Sequence, residues 1–194
     1  MFLSDGVFAI AMTLLVLEVR LPDLAATITN DELSTALLEL GGRLFAYALS
    51  FAVLATFWVG HWRRFRKIER ADVRLAWINV LLLGLVAFIP FPTAVIGEFG
   101  NLPAAVALYA VTLSLAGLAG TLSWFYAARA RLLLPGTPTS LRASGTLRAL
   151  VLPVVMLGSL LLLPVMGVFV VEWSWLLILP LVVLTRPPRI PGKT

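Results

Sequence analysis

Apolar segments of about helical length alternate with short polar stretches along the whole chain. Each segment approaches the roughly 20 residues that a helix needs to cross about 30 Å of hydrocarbon. The pattern predicts six transmembrane helices, with expected ranges 2–21, 36–64, 74–97, 103–130, 146–164 and 166–185. The last two are short and almost continuous. They form either a tight hairpin, which Glu172 and the neighbouring Trp residues favour, or one long broken helix.

The charges between the apolar segments indicate the orientation. Six basic residues lie within 63–74, after the second segment, and four basic residues without any acid follow the fourth segment. Cytoplasmic loops of membrane proteins are enriched in Lys and Arg, so both loops are expected in the cytoplasm. Six crossings then place both termini on the same side. We expect residues 1–194 to form a single six-helix transmembrane domain.

Composition excludes several classes of function. The 194 residues are 60% hydrophobic and only 13% charged, which indicates an all-α polytopic membrane protein. The absence of Cys and the single His leave no metal or cofactor site to expect. The net charge of +5 lies in loops between apolar segments, so nucleic acid is not an expected partner. No second candidate catalytic residue is expected at the depth of His61, so an enzyme is not expected either.

The first predicted helix begins with a carboxylate, Asp5, in an otherwise apolar segment. An ionisable group in a membrane helix is expected to face protein or water and to have a partner. His61 and Asn79 are predicted at the same depth, so they are the expected partners. Two interpretations stay open: Asp5 caps the helix beside Ser4, or these four side chains form a buried polar network. His61 fits either a structural histidine or a proton sensor.

A narrow stripe of branched aliphatic side chains follows Asp5. At 100° per residue, Ile10, Leu14, Leu17 and Leu21 lie on one face of a helix, and Asp5 lies about 140° from Ile10. The carboxylate and the stripe are therefore expected to face different neighbours. This spacing by itself is typical of packing against another helix or against lipid.

Two further features predict how the helices pack. Pro90 and Pro92 break the third segment near its outer end, where they produce either a plain kink or part of an outer vestibule. Ala116, Gly117 and Gly120 are small residues of the fourth segment, and they predict close contact with a neighbouring helix.

The stretches LSDGVFAIAMTLLVLEV, FWVGHWRRF and NVLLLGLVAFIPFPTAVIGE resemble the prokaryotic branch of the endolysosomal potassium channel family. Its members are six-helix cation channels without a P-loop filter. The family's first helix opens with an arginine, three residues and then Phe-Ser-Asp. Ser4 and Asp5 match this motif, Leu3 replaces the Phe, and the position of the arginine falls before Met1. The resemblance covers the first three helices strongly, and the remainder agrees in hydropathy and length.

The resemblance implies a homotetramer in the inner (plasma) membrane, with the first helix of each subunit lining a central pore. Carried over by position, the pore constriction is formed by Ile10, Leu14 and Leu17, and the Thr13 hydroxyl is close enough to contact a passing ion. The implied polar set near the cytoplasmic end is Ser4, Asp5, His61 and Asn79. Aliphatic constrictions conduct when wet and block when they dewet. We therefore expect a leak conductance that favours potassium weakly over sodium, with K⁺ as the permeant ion and no cofactor.

Acidic residues follow the stripe at the predicted outer mouth. Glu18 and Asp23 would raise the local concentration of cations there. Glu18 could equally pair with Arg20 or with a neighbouring helix, and the sequence leaves both readings open.

A proton-coupled or other secondary transporter is the competing interpretation. Transporters bind substrate near the midplane, between internal repeats and broken helices, and often use charged residues there. Apart from Asp5, which lies near an edge, the predicted helices have no central ionisable residue. The expected partners are therefore the lipid bilayer, further copies of the chain and monovalent cations.

Overall fold

The structure is a computed structural model that describes residues 2–22, 27–178 and 180–181, without the side chains of 139–144 and 148. The helices in these ranges are α1 (Phe2–Leu14), α2 (Asn30–Glu39), α3 (Gly41–Phe65), α4 (Val73–Phe88), α5 (Pro90–Phe99), α6 (Pro103–Arg129) and α7 (Thr139–Ser174). Short 3₁₀ turns follow α1 at Leu15–Glu18 and α7 at Trp175–Leu177. Within the described ranges, four stretches are long and apolar enough to cross a membrane: Gly41–Phe65, Val73–Phe99, Pro103–Arg129 and Gly145–Leu177.

The predicted all-α, six-helix architecture is confirmed. Its six members are α1 with its 3₁₀ turn, α3, the pair α4 and α5, α6, and the two arms of α7. The first predicted range, 2–21, was too long. The helix tightens to 3₁₀ geometry at Leu15 and ends at Glu18, because Val19 leaves the helical region with φ −86° and ψ 82°. α1 and its turn together span about 28 Å.

A separate helix, α2, precedes α3 and was not predicted. The Thr29 hydroxyl accepts a hydrogen bond from the Glu32 amide, and the Glu32 carboxylate accepts from the Thr29 amide and hydroxyl. These bonds hold the pKa of Glu32 below its ordinary value. Because α2 ends before Leu40 and α3 begins at Gly41, the prediction of one helix over 36–64 was wrong at its start.

α4 and α5 form one span whose hydrogen bonding is interrupted at Ile89. Pro90 has no amide hydrogen to donate to the Val86 carbonyl, and the Ile89 amide donates to that carbonyl instead, at 3.2 Å. Ile89 keeps helical dihedral angles, so the chain continues in nearly the same direction. The predicted break at Pro90 is confirmed, and it is a local change of hydrogen bonding within one span.

α7 reverses direction at Gly167, which has φ 73° and ψ 172°. The indole of Trp175 donates to the Ser159 hydroxyl at 2.9 Å, although both residues lie eight positions from Gly167. A straight helix would separate two residues 16 positions apart by about 24 Å, so the two arms must lie side by side. The hairpin interpretation is therefore right. α7 begins at Thr139, earlier than the predicted 146.

The two basic loops meet at one end of the bundle, which we call the basic end (63–74 and 129–134). Ile68 and Leu133 form an isolated antiparallel bridge, and the Leu134 amide donates to the Lys67 carbonyl at 2.9 Å. The Tyr126 hydroxyl donates to Asp72 at 2.6 Å. This bond and a second from the Leu75 amide hold the pKa of Asp72 below its ordinary value. The common side predicted for these loops is therefore observed.

Close packing between α6 and α7 depends on glycine. A Cβ on Gly117 would lie 2.9 Å from Pro153 Cδ and 3.4 Å from a Leu152 methyl group. A Cβ on Gly120 would lie 3.1 Å from the Arg64 guanidinium, whose Nη1 donates to the Gly120 carbonyl at 2.9 Å. The prediction of close helix contact is confirmed at Gly117, whereas Gly120 contacts the Arg64 side chain of α3.

Candidate functional site

α1 has two faces with opposite surroundings. Ser4, Phe8, Ala11 and Leu15 recur at helical spacing and are buried; α1 packs against α3 and α4, and the 3₁₀ turn with the fully inaccessible Leu15 packs against α3 and α5. This face holds α1 to the rest of the subunit. The other side of α1 therefore has no partner within the described part of a single chain.

The predicted pore stripe lies on that other side. The exposed fractions of Ile10, Leu14 and Leu17 are 60%, 40% and 58%. Thr13 is also exposed, and its hydroxyl donates to the Ile10 carbonyl at 2.9 Å, so the oxygen keeps its lone pairs as acceptors. Leu17 lies on the 3₁₀ turn and Leu21 lies beyond it, so the regular α-helical spacing of the stripe ends at Leu14.

Three of the four predicted polar residues form a continuous chain of hydrogen bonds across three helices. Asn79 Nδ2 of α4 donates to Ser4 Oγ of α1 at 3.2 Å. Asn79 Oδ1 lies 2.8 Å from His61 Nε2 of α3. Ser4 and His61 are 4% and 1% exposed, so these bonds are made inside the helix bundle. The chain links the start of α1 to the start of α4 and the end of α3.

The side-chain amide of Asn79 determines which atom donates in each of these hydrogen bonds. Because Asn79 Nδ2 donates to Ser4, Asn79 Oδ1 is the acceptor and His61 Nε2 carries the proton. His61 Nδ1 is then an acceptor in the neutral ring, and it has no hydrogen-bond partner among the described residues. The ring stacks on Phe65 at 4.2 Å between centroids and packs against Phe8 at 5.7 Å. His61 is thus held mainly by apolar contact and by one amide.

Asp5 does not bond to the residues that the sequence suggested. Its carboxylate accepts a hydrogen bond from the Trp58 indole at 3.1 Å, so the prediction of direct pairing with His61 or Asn79 was wrong. Asp5 and Ser4 are adjacent and point to different neighbours, Asp5 to α3 and Ser4 to α4. The sequence signal for Trp58 was its position three residues before His61, on the same face of α3.

The opposite end of α1 has an ionic contact that the sequence did not single out. The Arg43 guanidinium of α3 donates to the Arg20 carbonyl and pairs with the Glu98 carboxylate of α5. Glu18 is partly exposed and has no ion pair within the described ranges, so its suggested pairing with Arg20 is not observed. Asp23, the second predicted residue of the outer mouth, lies outside the described residues.

No group of three or more His, Asp or Glu side chains is arranged to hold a metal ion in the described parts of the chain. The interior is filled instead by a single large cluster of apolar side chains that includes Phe8, Leu54, Val86 and Tyr109. Such an interior leaves little room for an ion to pass through one subunit. Contacts with an ion are therefore limited to the exposed face of α1 and to the two ends of this helix.

Comparison with known proteins links these features to one family. The family model for the endosomal/lysosomal potassium channel TMEM175 matches residues 1–90. A potassium channel of Chamaesiphon minutus is 45% identical over 96 residues, which are 50% of this chain and 47% of that protein. A potassium channel of Streptomyces collinus is 35% identical over 130 residues, which are 65% of this chain and 62% of that protein. The matched region thus spans about half to three fifths of these curated relatives.

Structural comparison extends the similarity along the chain. The crystal structure of a lysosomal potassium-selective channel TMEM175 homologue from Chamaesiphon minutus covers 95% of this chain and is itself covered to 95%. Its TM-score is 0.77 and its sequence identity is 29%. A human relative named as an endosomal/lysosomal proton channel is 24% identical over 97% of this chain, which corresponds to 38% of that protein.

The fold defines the chain as a polytopic membrane protein of six helices, similar to the solved TMEM175 homologue. Its first 90 residues match the TMEM175 family model, and the resemblance seen in its motifs is confirmed. The matched residues 1–90 contain α1, α3 and α4, and hence the exposed stripe and the whole polar chain of Ser4, Asn79 and His61. The named relatives are ion channels, in agreement with the expectation that this chain is not an enzyme.

Proposed function

We propose that this chain is the subunit of a potassium-permeable cation channel, assembled as a homotetramer around a central pore lined by α1. The observation that carries the proposal is the two-sided character of α1 within the segment that matches potassium channels. One side is buried against α3 and α4, whereas Ile10, Leu14 and Leu17 are exposed. Because the described residues of one subunit pack without an evident path for ions, the path would lie between subunits.

The constriction would be formed by rings of Ile10, Leu14 and Leu17, one from each subunit. Aliphatic side chains cannot replace the hydration shell of an ion, so ions cross only while the constriction is wide enough to hold water. Potassium holds its shell less tightly than sodium, and a weak preference for potassium follows. The hydroxyl oxygen of Thr13 would offer one polar contact within the apolar zone. The result would be a leak conductance controlled by wetting.

The hydrogen-bonded series of Ser4, Asn79 and His61 at the basic end would hold α1 in place rather than conduct ions. Hydrogen bonds from Ser4 through Asn79 to His61 tie the start of α1 to two neighbouring helices. The bond from Trp58 to Asp5 adds a third connection. Breaking a buried chain of this kind leaves unsatisfied polar groups, which makes sliding or rotation of α1 costly. At the other end, Glu18 and Asp23 would attract cations to the mouth.

The chain would function as one multi-pass domain in the plasma membrane, with lipid, further copies of itself and monovalent cations as partners. Its basic end would face the cytoplasm by the enrichment of Lys and Arg there. α1 begins at this end, since Ser4 contacts the start of α4. The amino terminus would therefore be cytoplasmic, as would the carboxyl terminus after six crossings.

A secondary transporter has less support. The ionisable side chains described on the helices, such as Asp5, Arg43 and Glu98, lie near helix ends rather than at mid-depth. Transporter sites lie near the midplane and coordinate ions there. A channel that also conducts protons through the same pore has more support than a transporter, because the human relative is named a proton channel.

The experiment is ion flux into liposomes that contain the purified protein, with a potassium gradient and sodium as the comparison. We expect wild-type protein to carry potassium faster than sodium. Leu17→Ala is expected to raise the flux several-fold and to reduce the preference for potassium, because it widens the constriction. The matched control is Leu161→Ala, since Leu161 is 79% exposed on α7. Absence of flux from well-folded wild-type protein, or equal effects of the two substitutions, would contradict the proposal.

A further inference from the structure

An apolar groove lies on the outside of the subunit, away from α1. It has a volume of about 550 Å³ and is formed by Leu81 and Leu85 of α4, by a row of α6 side chains from Leu115 to Phe125, and by Thr146 of α7. Leu118, Leu122 and Phe125 are each 40% to 51% exposed along it. The groove therefore runs from mid-depth of the bundle towards the basic end.

Both helices that form the groove carry a cation on the same face, closer to the basic end. On α4, Arg74 precedes Leu81 by seven residues, and Trp77 lies between them with 67% of its surface exposed. On α6, Arg129 follows Phe125 by four residues and is exposed. Each helix of the groove thus carries an exposed arginine one or two turns closer to the basic end, and α4 also carries an indole that suits the membrane interface.

The charge at this end is strongly one-sided. Residues 63–74 and 129–131 contain eight Lys or Arg and only two acids, Glu69 and Asp72. Asp72 interacts with Arg74, but its carboxylate also accepts from the Tyr126 hydroxyl and the Leu75 amide. Arg129 has no ion pair within the described residues. The rim of the groove therefore favours an anion.

A second copy of the chain is a poor complement to this particular rim. Copies in one membrane share their orientation, so a copy seated on the groove would bring its own basic loops to the level of Arg74 and Arg129. A lipid with an acidic headgroup matches both the apolar groove and the positive rim. We propose that the groove binds an anionic phospholipid of the leaflet at the basic end, with an acyl chain between α4 and α6 and the phosphate at Arg74 and Arg129.

The test is native mass spectrometry of the purified protein titrated with phosphatidylglycerol or with phosphatidylcholine of the same acyl chains. We expect tighter binding of phosphatidylglycerol. Arg74→Gln and Arg129→Gln are each expected to weaken it about fivefold, with phosphatidylcholine unchanged. The matched controls are Arg63→Gln and Arg70→Gln, because both residues are exposed cations of the basic end that are not on the groove-facing sides of α4 and α6 and do not line the groove. Their effect is expected to be less than half as large.

A second pair of variants tests the groove itself. Leu118→Trp fills it and is expected to reduce the binding of both lipids, whereas Leu161→Trp on the exposed side of α7 is not. Equal losses at the groove and control arginines, or equal affinity for the two lipids, would overturn the proposal. So would dissociation of the oligomer by Leu118→Trp with lipid binding unchanged, because a second copy would then cover the groove. These readouts do not depend on ion flux.

Discussion

Replacement of Ile10 by Asn is expected to raise potassium flux on the order of tenfold, which corresponds to about 1.4 kcal/mol removed from the barrier. Ile10 is 60% exposed on the free face of α1. An amide ring at this level would hydrate the constriction and remove part of the free energy of dewetting. Sodium flux is expected to rise more than potassium flux, because the preference for a weakly held hydration shell would be lost.

The control for this prediction is the same change at another exposed apolar position. Leu161→Asn places an amide on α7, where 79% of the leucine side chain is exposed. If both positions face lipid, both substitutions carry a similar cost and neither increases flux. We expect the potassium flux to rise for Ile10→Asn and not for Leu161→Asn. Equal flux from the two variants would mean that Ile10 lies against lipid or a neighbouring helix.

Gly117→Leu is expected to destabilise the protein by about 3 kcal/mol or more, because it overpacks the contact between α6 and α7. Even a Cβ at this position would lie 2.9 Å from Pro153 Cδ, in a helix pair that buries much of the core. The two helices would have to separate. The measurement is the fraction of monodisperse protein that survives heating, followed by size-exclusion chromatography.

Gly158→Leu is the matched control for that substitution. Gly158 also lies in a long apolar helix, and a Cβ there would have no atom within 4 Å. Its replacement is expected to leave the heat resistance near that of wild type or to raise it, because leucine favours the helix more than glycine does. An equal loss of heat resistance in Gly117→Leu and Gly158→Leu would show that α6 and α7 do not pack at Gly117 as described.

The helix count and the fold class could be predicted because membrane helices are set by long apolar segments, which the sequence displays directly. Helix ends were less predictable. Nothing in hydropathy distinguishes the 3₁₀ turn at Leu15–Glu18 from continued α-helix. By contrast, α2 had a readable signal in Thr29 and Glu32, a capping box that lies outside the apolar segments.

The sequence predicted the level at which the site residues lie in the membrane, but it did not predict which neighbours their side chains contact. Ser4, His61 and Asn79 were expected at one level, and they do meet by hydrogen bonds. Asp5 was expected to join them, but its bond comes from Trp58. A hydropathy pattern gives the level of a side chain, whereas its partner depends on how α1 is rotated between α3 and α4. That rotation is fixed by packing of Phe8, Ala11 and Leu15, which only the folded structure reveals.

The central claim is that the exposed stripe of α1 lines the ion path, and single cysteines test it most directly. The chain has no cysteine, so Leu14→Cys, Leu17→Cys and the control Leu161→Cys each introduce one thiol into a clean background. A cationic methanethiosulfonate reagent reacts only with thiols that water reaches. We predict that treatment blocks most of the potassium flux through Leu14→Cys and Leu17→Cys and leaves Leu161→Cys and wild type unchanged. If Leu14→Cys and Leu17→Cys conduct potassium and the reagent leaves their flux unchanged, the stripe of α1 does not line the ion path.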